Sequence, residues 1–259
     1  MRMKIDVALD YRLAAPGAAI LVVEAAGVAG QVLSDTRIDV KSPSHLARVT
    51  AEEGIGERLV MRLEDRMACT YSAIVEVTRQ RPDMAALQAV EVEHMPADAL
   101  RYLLPSRYCE SDRFANFVAS RFGMLTGGAK VAAMRDWVEG HLDYVAGVSD
   151  GNTTAADTYL DARGVCRDYA HLLIALCRAG QIPARIASVY APDVEPQDFH
   201  AVAEVFLSGE WHLVDATGMA EADEMALVAV GRDATDVAFL TTIPAAELRT
   251  QTVKVTRLG

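Results

Sequence analysis

The first hundred residues alternate. In "KIDVALDYRL", beginning at Lys4, apolar side chains take every second position, the period of a strand with one buried face. "AAILVVEA" is a short continuous apolar run that fits a buried strand. "TRIDVKS", "ARVTAEE", "RLVMRLE" and "CTYSAIVEVTR" follow at short intervals, and Gly, Pro, Ser or Asp separates most of them. Short strands broken by turn residues predict an antiparallel β-sandwich-like unit. "HMPADALRYLLPSRYCESD" ends that rhythm, punctuated by Pro96 and Pro105. The expected boundary falls there, with residues 1–100 as a β-rich domain and 101–259 as a second domain.

Beyond it the period lengthens. "DRFANFVASRFG" sets Phe114, Phe117, Val118 and Phe122 at helical spacing, with Gly123 as a stop. "AKVAAMRDWVEGHLDYV" sets Val131, Met134, Trp137, Val138 and Leu142 on one face. Thr154 and Asp157 have the spacing of a capping pair for a short helix running to Asp161. Tyr169, Leu172, Leu173, Leu176 and Cys177 repeat at helical spacing, so a helix begins at or beside Cys166, with Gly180 expected as its C′ residue. "ARIASVY", "FHAVAEVFL" and "EWHLVDAT" then read as strands, and "TVKVTRL" as a last one. Helices followed by an antiparallel sheet predict an α+β domain.

The chain has 259 residues, 51% of them hydrophobic and 24% charged, a balance that supports a large packed core. Its net charge of −11 repels phosphate backbones, so nucleic acid is excluded as a natural partner. "MRMKIDVALDYRL" lacks the apolar core of a signal peptide, and the apolar stretch at residues 18–30 is interrupted by Glu24 and too short to span a bilayer. The expectation is a cytoplasmic protein with no membrane partner; the oligomeric state is left open.

The four cysteines are Cys69, Cys109, Cys166 and Cys177, with no C-x-x-C pair and no zinc-like Cys/His spacing. Cys177 sits in the middle of a helical apolar run and reads as core. Cys166 is different. It follows "ARGV" at the start of a helix, where peptide dipoles and free N–H groups favour a thiolate. That local setting fits a nucleophile and a buried structural cysteine alike. A nucleophile needs a base, and the base needs an orienting group. His200 and Asp215 lie on consecutive predicted strands. A two-residue turn at Ser208 and Gly209 pairs Phe206 with Trp211 and Val202 with Asp215. His200 is then a diagonal neighbour of Asp215 on the same face, within side-chain reach. A register slip of one residue would separate them.

"GVCRDYAHL", "HAVAE" and "WHLVDAT" resemble the transglutaminase-like superfamily, in its bacterial cysteine-protease-like branch. The resemblance covers most of residues 112–236, including "DYVAGVSDGNTTAADTYLDARGVC" and "GRDATDVAF", and the first hundred residues resemble the β-domain that precedes such cores. It implies a papain-like core, its nucleophile on a helix packed against an antiparallel sheet. It implies Cys166 as nucleophile, His200 as ion-pair partner and proton donor, and Asp215 as orienter. A peptide or protein amide would be attacked to give a thioester, then released by water. Transamidation of a protein glutamine and a catalytically silent binding module are the alternatives. No cofactor or metal is required by this chemistry. The chain departs from the family pattern at Ala216, where animal relatives often carry Pro, and at Val202, where many carry an aromatic. Tyr108 and Arg167 are candidates for the second oxyanion donor, though packing and solvent roles suit them better. Glu204 is open between site support and a plain strand carboxylate. Asp168 reads as helix-terminal charge and His171 as a half-buried helical histidine.

Overall fold

The computed structural model describes residues 1–259. β1 (Arg2–Leu13), β2 (Gly17–Leu21), β3 (Gln31–Val40), β4 (His45–Thr50), β5 (Glu57–Leu63) and β6 (Arg66–Val77) follow the predicted runs. Along β1, Met3, Ile5, Val7 and Leu9 are buried while their neighbours are not, as the alternation required. The connector holds the short α1 (Ala97–Leu100). Then come α2 (Ala115–Phe122), α3 (Gly127–His141), β7 (Asp143–Tyr144), α4 (Ala155–Asp161), β8 (Arg163–Gly164) and α5 (Cys166–Ala179). The expected capping pair forms at α4: Asp157 N–H donates to Thr154 Oγ1, and Thr154 N–H donates to Asp157.

β9 (Ala184–Tyr190), β10 (His200–Leu207), β11 (Glu210–Val214) and β12 (Ala226–Gly231) form one antiparallel sheet in the order β11-β10-β9-β12. α6 (Ala234–Val237), β13 (Leu240–Thr242) and β14 (Ala246–Leu258) complete the chain. α5 packs on β10 and β9 and is buried on every side from Asp168 to Arg178, so it is the central helix of an α+β core.

Three expectations need correction. The last strand does not join the second unit. β14 pairs with β1 in a sheet ordered β14-β1-β6-β3, and β13 pairs with β2 in the other, ordered β13-β2-β5-β4. The sheets built by the first hundred residues are thus finished by residues beyond 239, across the expected division at residue 100. The larger of two hydrophobic clusters runs without a break from Met3 and Tyr71 to Leu172 and Tyr190. Gly180 is not left-handed: its φ is −87°, and Gln181, at φ 62°, takes the turn instead. His171 is fully buried rather than half-buried. Tyr108 stacks on its ring at 5.1 Å, and Nε2 accepts the Ala234 N–H at 3.1 Å. Burial, only partly offset by Asp233, pushes its pKa down to about 3, so it is neutral.

Candidate active site

The chain enters α5 through β8. A Cβ on Gly164 would meet Asp168 Cβ at 2.6 Å, so the approach needs a residue without a side chain. Asp168 is buried there and does more than complement a helix end. Its Oδ2 accepts the Val165 N–H at 2.9 Å and the Ser149 hydroxyl at 2.6 Å. It satisfies a free N–H at the helix start and ties the helix to the preceding loop. Cys166 is the first residue of α5 and the one cysteine with partial exposure. Burial pushes Cys69, Cys109 and Cys177 each up to about 12, which leaves them inert thiols.

His200 opens β10, and Asp215 follows β11. The hairpin between them turns at Ser208 and Gly209, both with positive φ, and pairs Phe206 with Trp211 and Ala203 with Val214. That register brings His200 Nε2 to 2.9 Å from Asp215 Oδ2, with both side chains buried. Asp215 also accepts the Thr217 N–H and hydroxyl, each at 2.8 Å, and the Ala220 N–H at 3.1 Å. Burial opposes its charge, but these donors and His200 hold the carboxyl below its ordinary range. Burial likewise opposes a charged His200. The hydrogen bond to Asp215, and attraction to Cys166 and Asp215, outweigh it and raise the imidazole to about 10. Nδ1 of His200 is buried and has no hydrogen-bond partner of its own.

A pocket of about 400 Å³ opens over Cys166 and His200. Val165, Ile186, Val194, Phe199, Val237 and Phe239 give it an apolar lining. The Phe199 carbonyl lies 3.9 Å from Cys166 Sγ. Tyr144, on β7, lines the same pocket as Cys166. Burial, then the charge of Cys166, pushes its hydroxyl up to about 12, so it keeps its proton at neutral pH. Local sequence periodicity carries no sign of Tyr144, although it lies inside the stretch that resembles the family. A more open cleft of about 520 Å³ lies behind Asp215, but its Arg81 and Arg135 are paired with Glu221 and Glu139.

The other candidates lie elsewhere. Tyr108 donates its hydroxyl to Gly151 O at 2.6 Å, away from the pocket. Arg167 borders the pocket but points its Nη2 at Asp150 O, 2.8 Å away. Glu204 is buried and bound to Arg185 at 2.7 Å, and that guanidinium lies 4.0 Å over Trp211. It supports the sheet rather than the pocket. Val202 is core, and the residue after Ala216, Thr217, binds Asp215 without help from a proline.

Residues 118–216 match the sequence profile of the Transglutaminase-like superfamily, a span that contains Cys166, His200 and Asp215. The crystal structure of a protein from Cytophaga hutchinsonii named "Putative Cysteine Protease" superposes with a TM-score of 0.94 and 32% identity. The match covers 100% of this chain and 91% of that one. An uncharacterized protein of Mycobacterium leprae (strain TN) is 28% identical over 208 residues, 74% of each chain.

Proposed function

We propose that this chain, which belongs to the transglutaminase-like superfamily, is a cysteine-dependent enzyme that hydrolyses an amide bond of a peptide or protein. The observation that carries the reading is the His200–Asp215 hydrogen bond of 2.9 Å, buried beside the one partly exposed cysteine at a helix start. The name of the Cytophaga protein supports the same class.

At rest the thiol proton sits on His200 Nδ1, the nitrogen that Asp215 leaves free, and the Sγ thiolate of that ion pair attacks the amide carbon. Asp215 keeps the proton of His200 on Nε2 and stabilises the imidazolium. The Cys166 N–H and the Tyr144 hydroxyl donate to the developing oxyanion. As the carbon–nitrogen bond breaks, Nδ1 returns its proton to the amine. A thioester on Cys166 remains. His200 then takes a proton from water, the hydroxide adds, and the carboxylic acid leaves as the thiol is restored.

The test is turnover of a quenched peptide library by wild type and Cys166→Ala. Loss of about a thousandfold or more is expected. Equal turnover by the two would overturn the reading. A labelled primary amine in the same assay separates hydrolysis from transamidation: incorporation of the label into the acyl product identifies the amine as acceptor.

A further inference from the structure

Residues 191–199 join β9 to β10 and lead the chain into His200. They form one wall of the pocket through Val194, Pro196, Asp198 and Phe199. The segment has no regular secondary structure, so its shape depends on bonds to other elements. β14 supplies them. The Val255 N–H donates to Gln197 Oε1 at 2.7 Å, and Gln251 Nε2 donates to Asp198 Oδ1 at 2.7 Å. The Tyr11 hydroxyl on β1 donates to Gln251 Oε1 at 2.8 Å and fixes that amide's direction. Gln197 also donates to Pro192 O at 2.5 Å, closing the segment on itself. Arg257, further along β14, pairs with Asp193.

The ring stacked beside Phe199 is held from the same side. The Val22 N–H, just after β2, donates to Phe239 O at 2.9 Å. Phe239 stacks on Phe199 with ring centres 4.3 Å apart and planes 10° from parallel. Both rings of this aromatic wall are thus tied to the strands of the β-sheet unit, and Phe199 also packs on Tyr190 of β9 with ring centres 5.9 Å apart.

We infer that the β-sheet unit sets the width of the pocket, with Gln197 and Gln251 as positioning residues, and that the pocket selects an acyl group with an apolar side chain. This rests on the proposed reading that the acyl group sits beside Cys166. An apolar side chain leaves water on entering and meets Ile186, Val194, Phe199 and Phe239. A charged one loses its hydration there. Releasing the 191–199 segment lets Phe199 move from Phe239 and removes the wall that discriminates.

The test is the rate of Cys166 alkylation in the full chain, read by mass spectrometry, with iodoacetamide and with its N-benzyl derivative. Relative to glutathione, the wild type prefers the benzyl reagent by about fivefold. Gln197→Ala and Gln251→Ala lower that preference by about fivefold, the effect of one lost hydrogen bond on a local equilibrium. Arg249→Ala, on the same strand but paired with Glu247, keeps it. Gln251→Asn serves where the alanine variant does not fold, because it keeps the amide but shortens its reach. Gln variants that fold and stay within twofold of wild type overturn the positioning role. A wild type with no preference over glutathione overturns the apolar class. The iodoacetamide rate alone reports thiol activation, so failure of the proposed chemistry is read separately from failure of the frame.

Discussion

His200 and Asp215 are joined by a hairpin whose parity decides whether the site exists. Ser208 and Gly209 in the turn set that parity, and the 2.9 Å hydrogen bond follows from it. At pH 6.5 an ordinary thiol is only about one per cent thiolate. His200→Ala should therefore slow Cys166 alkylation at that pH by about a hundredfold, and a pH–rate profile in both proteins checks it. Tyr144→Phe should lower kcat/KM on a cleaved peptide by about a hundredfold with KM little changed. The buried pair also writes itself into stability. His200 is raised from 6.5 to about 10, so its contribution is full below 6.5 and is lost as pH rises through 10. Asp215 is lowered from 3.8, so its contribution is present above 3.8 and lost as pH falls through the lower value. In Asp215→Asn the alkaline fall in Tm between pH 6.5 and 10 should become shallower, which thermal melts at several pH values measure. The pairing of His200 with Asp215 was legible because strand period and turn type bring them together, whereas Cys166 was singled out by its place at a helix start and by the family resemblance. Tyr144 and the buried state of His171 were not legible, because their neighbours come from distant segments: Cys166 for one, Tyr108 and Ala234 for the other.

Among the elements, α5 carries the most information. Its apolar spacing announced a helix, and Cys166 begins it. The spacing gave no warning that Asp168 would be buried and bonded to Ser149, since that loop arrives from outside the helix. β12 was missed for a similar reason. "ALVAVG" is a short apolar run whose period does not distinguish strand from helix, and only pairing with β9 decides it. Glu204 sits on the strand that begins at His200, yet its partner is Arg185 on β9. Glu204→Ala leaves that buried guanidinium uncompensated and should cost about 3–5 kcal/mol, measurable by urea denaturation. Glu204→Gln, which keeps an acceptor, should lose less.

For the molecule as a whole, the strands of the first hundred residues were legible from alternation, and so was the existence of β14. Its address was not. A period of two says which face of a strand is buried, not which strand lies beside it. The apolar face of β14 fits the sheet of β1 through Val253 and Val255, which are buried there. No helix is long and apolar enough to cross a membrane, and the long apolar elements are spent on the shared core.

The pairing of β14 with β1 also fixes an order of events. A ribosome releases β1 and β6 long before it releases β14, with the whole nucleophile helix and its sheet made in between. Contacts between such distant segments form late. During synthesis Cys166, His200 and Asp215 can come together before Gln251 and Val255 are there to shape the segment in front of them. A nascent chain can thus hold its reactive thiol before it holds the wall that chooses what the thiol meets, and selectivity is the last property this protein acquires.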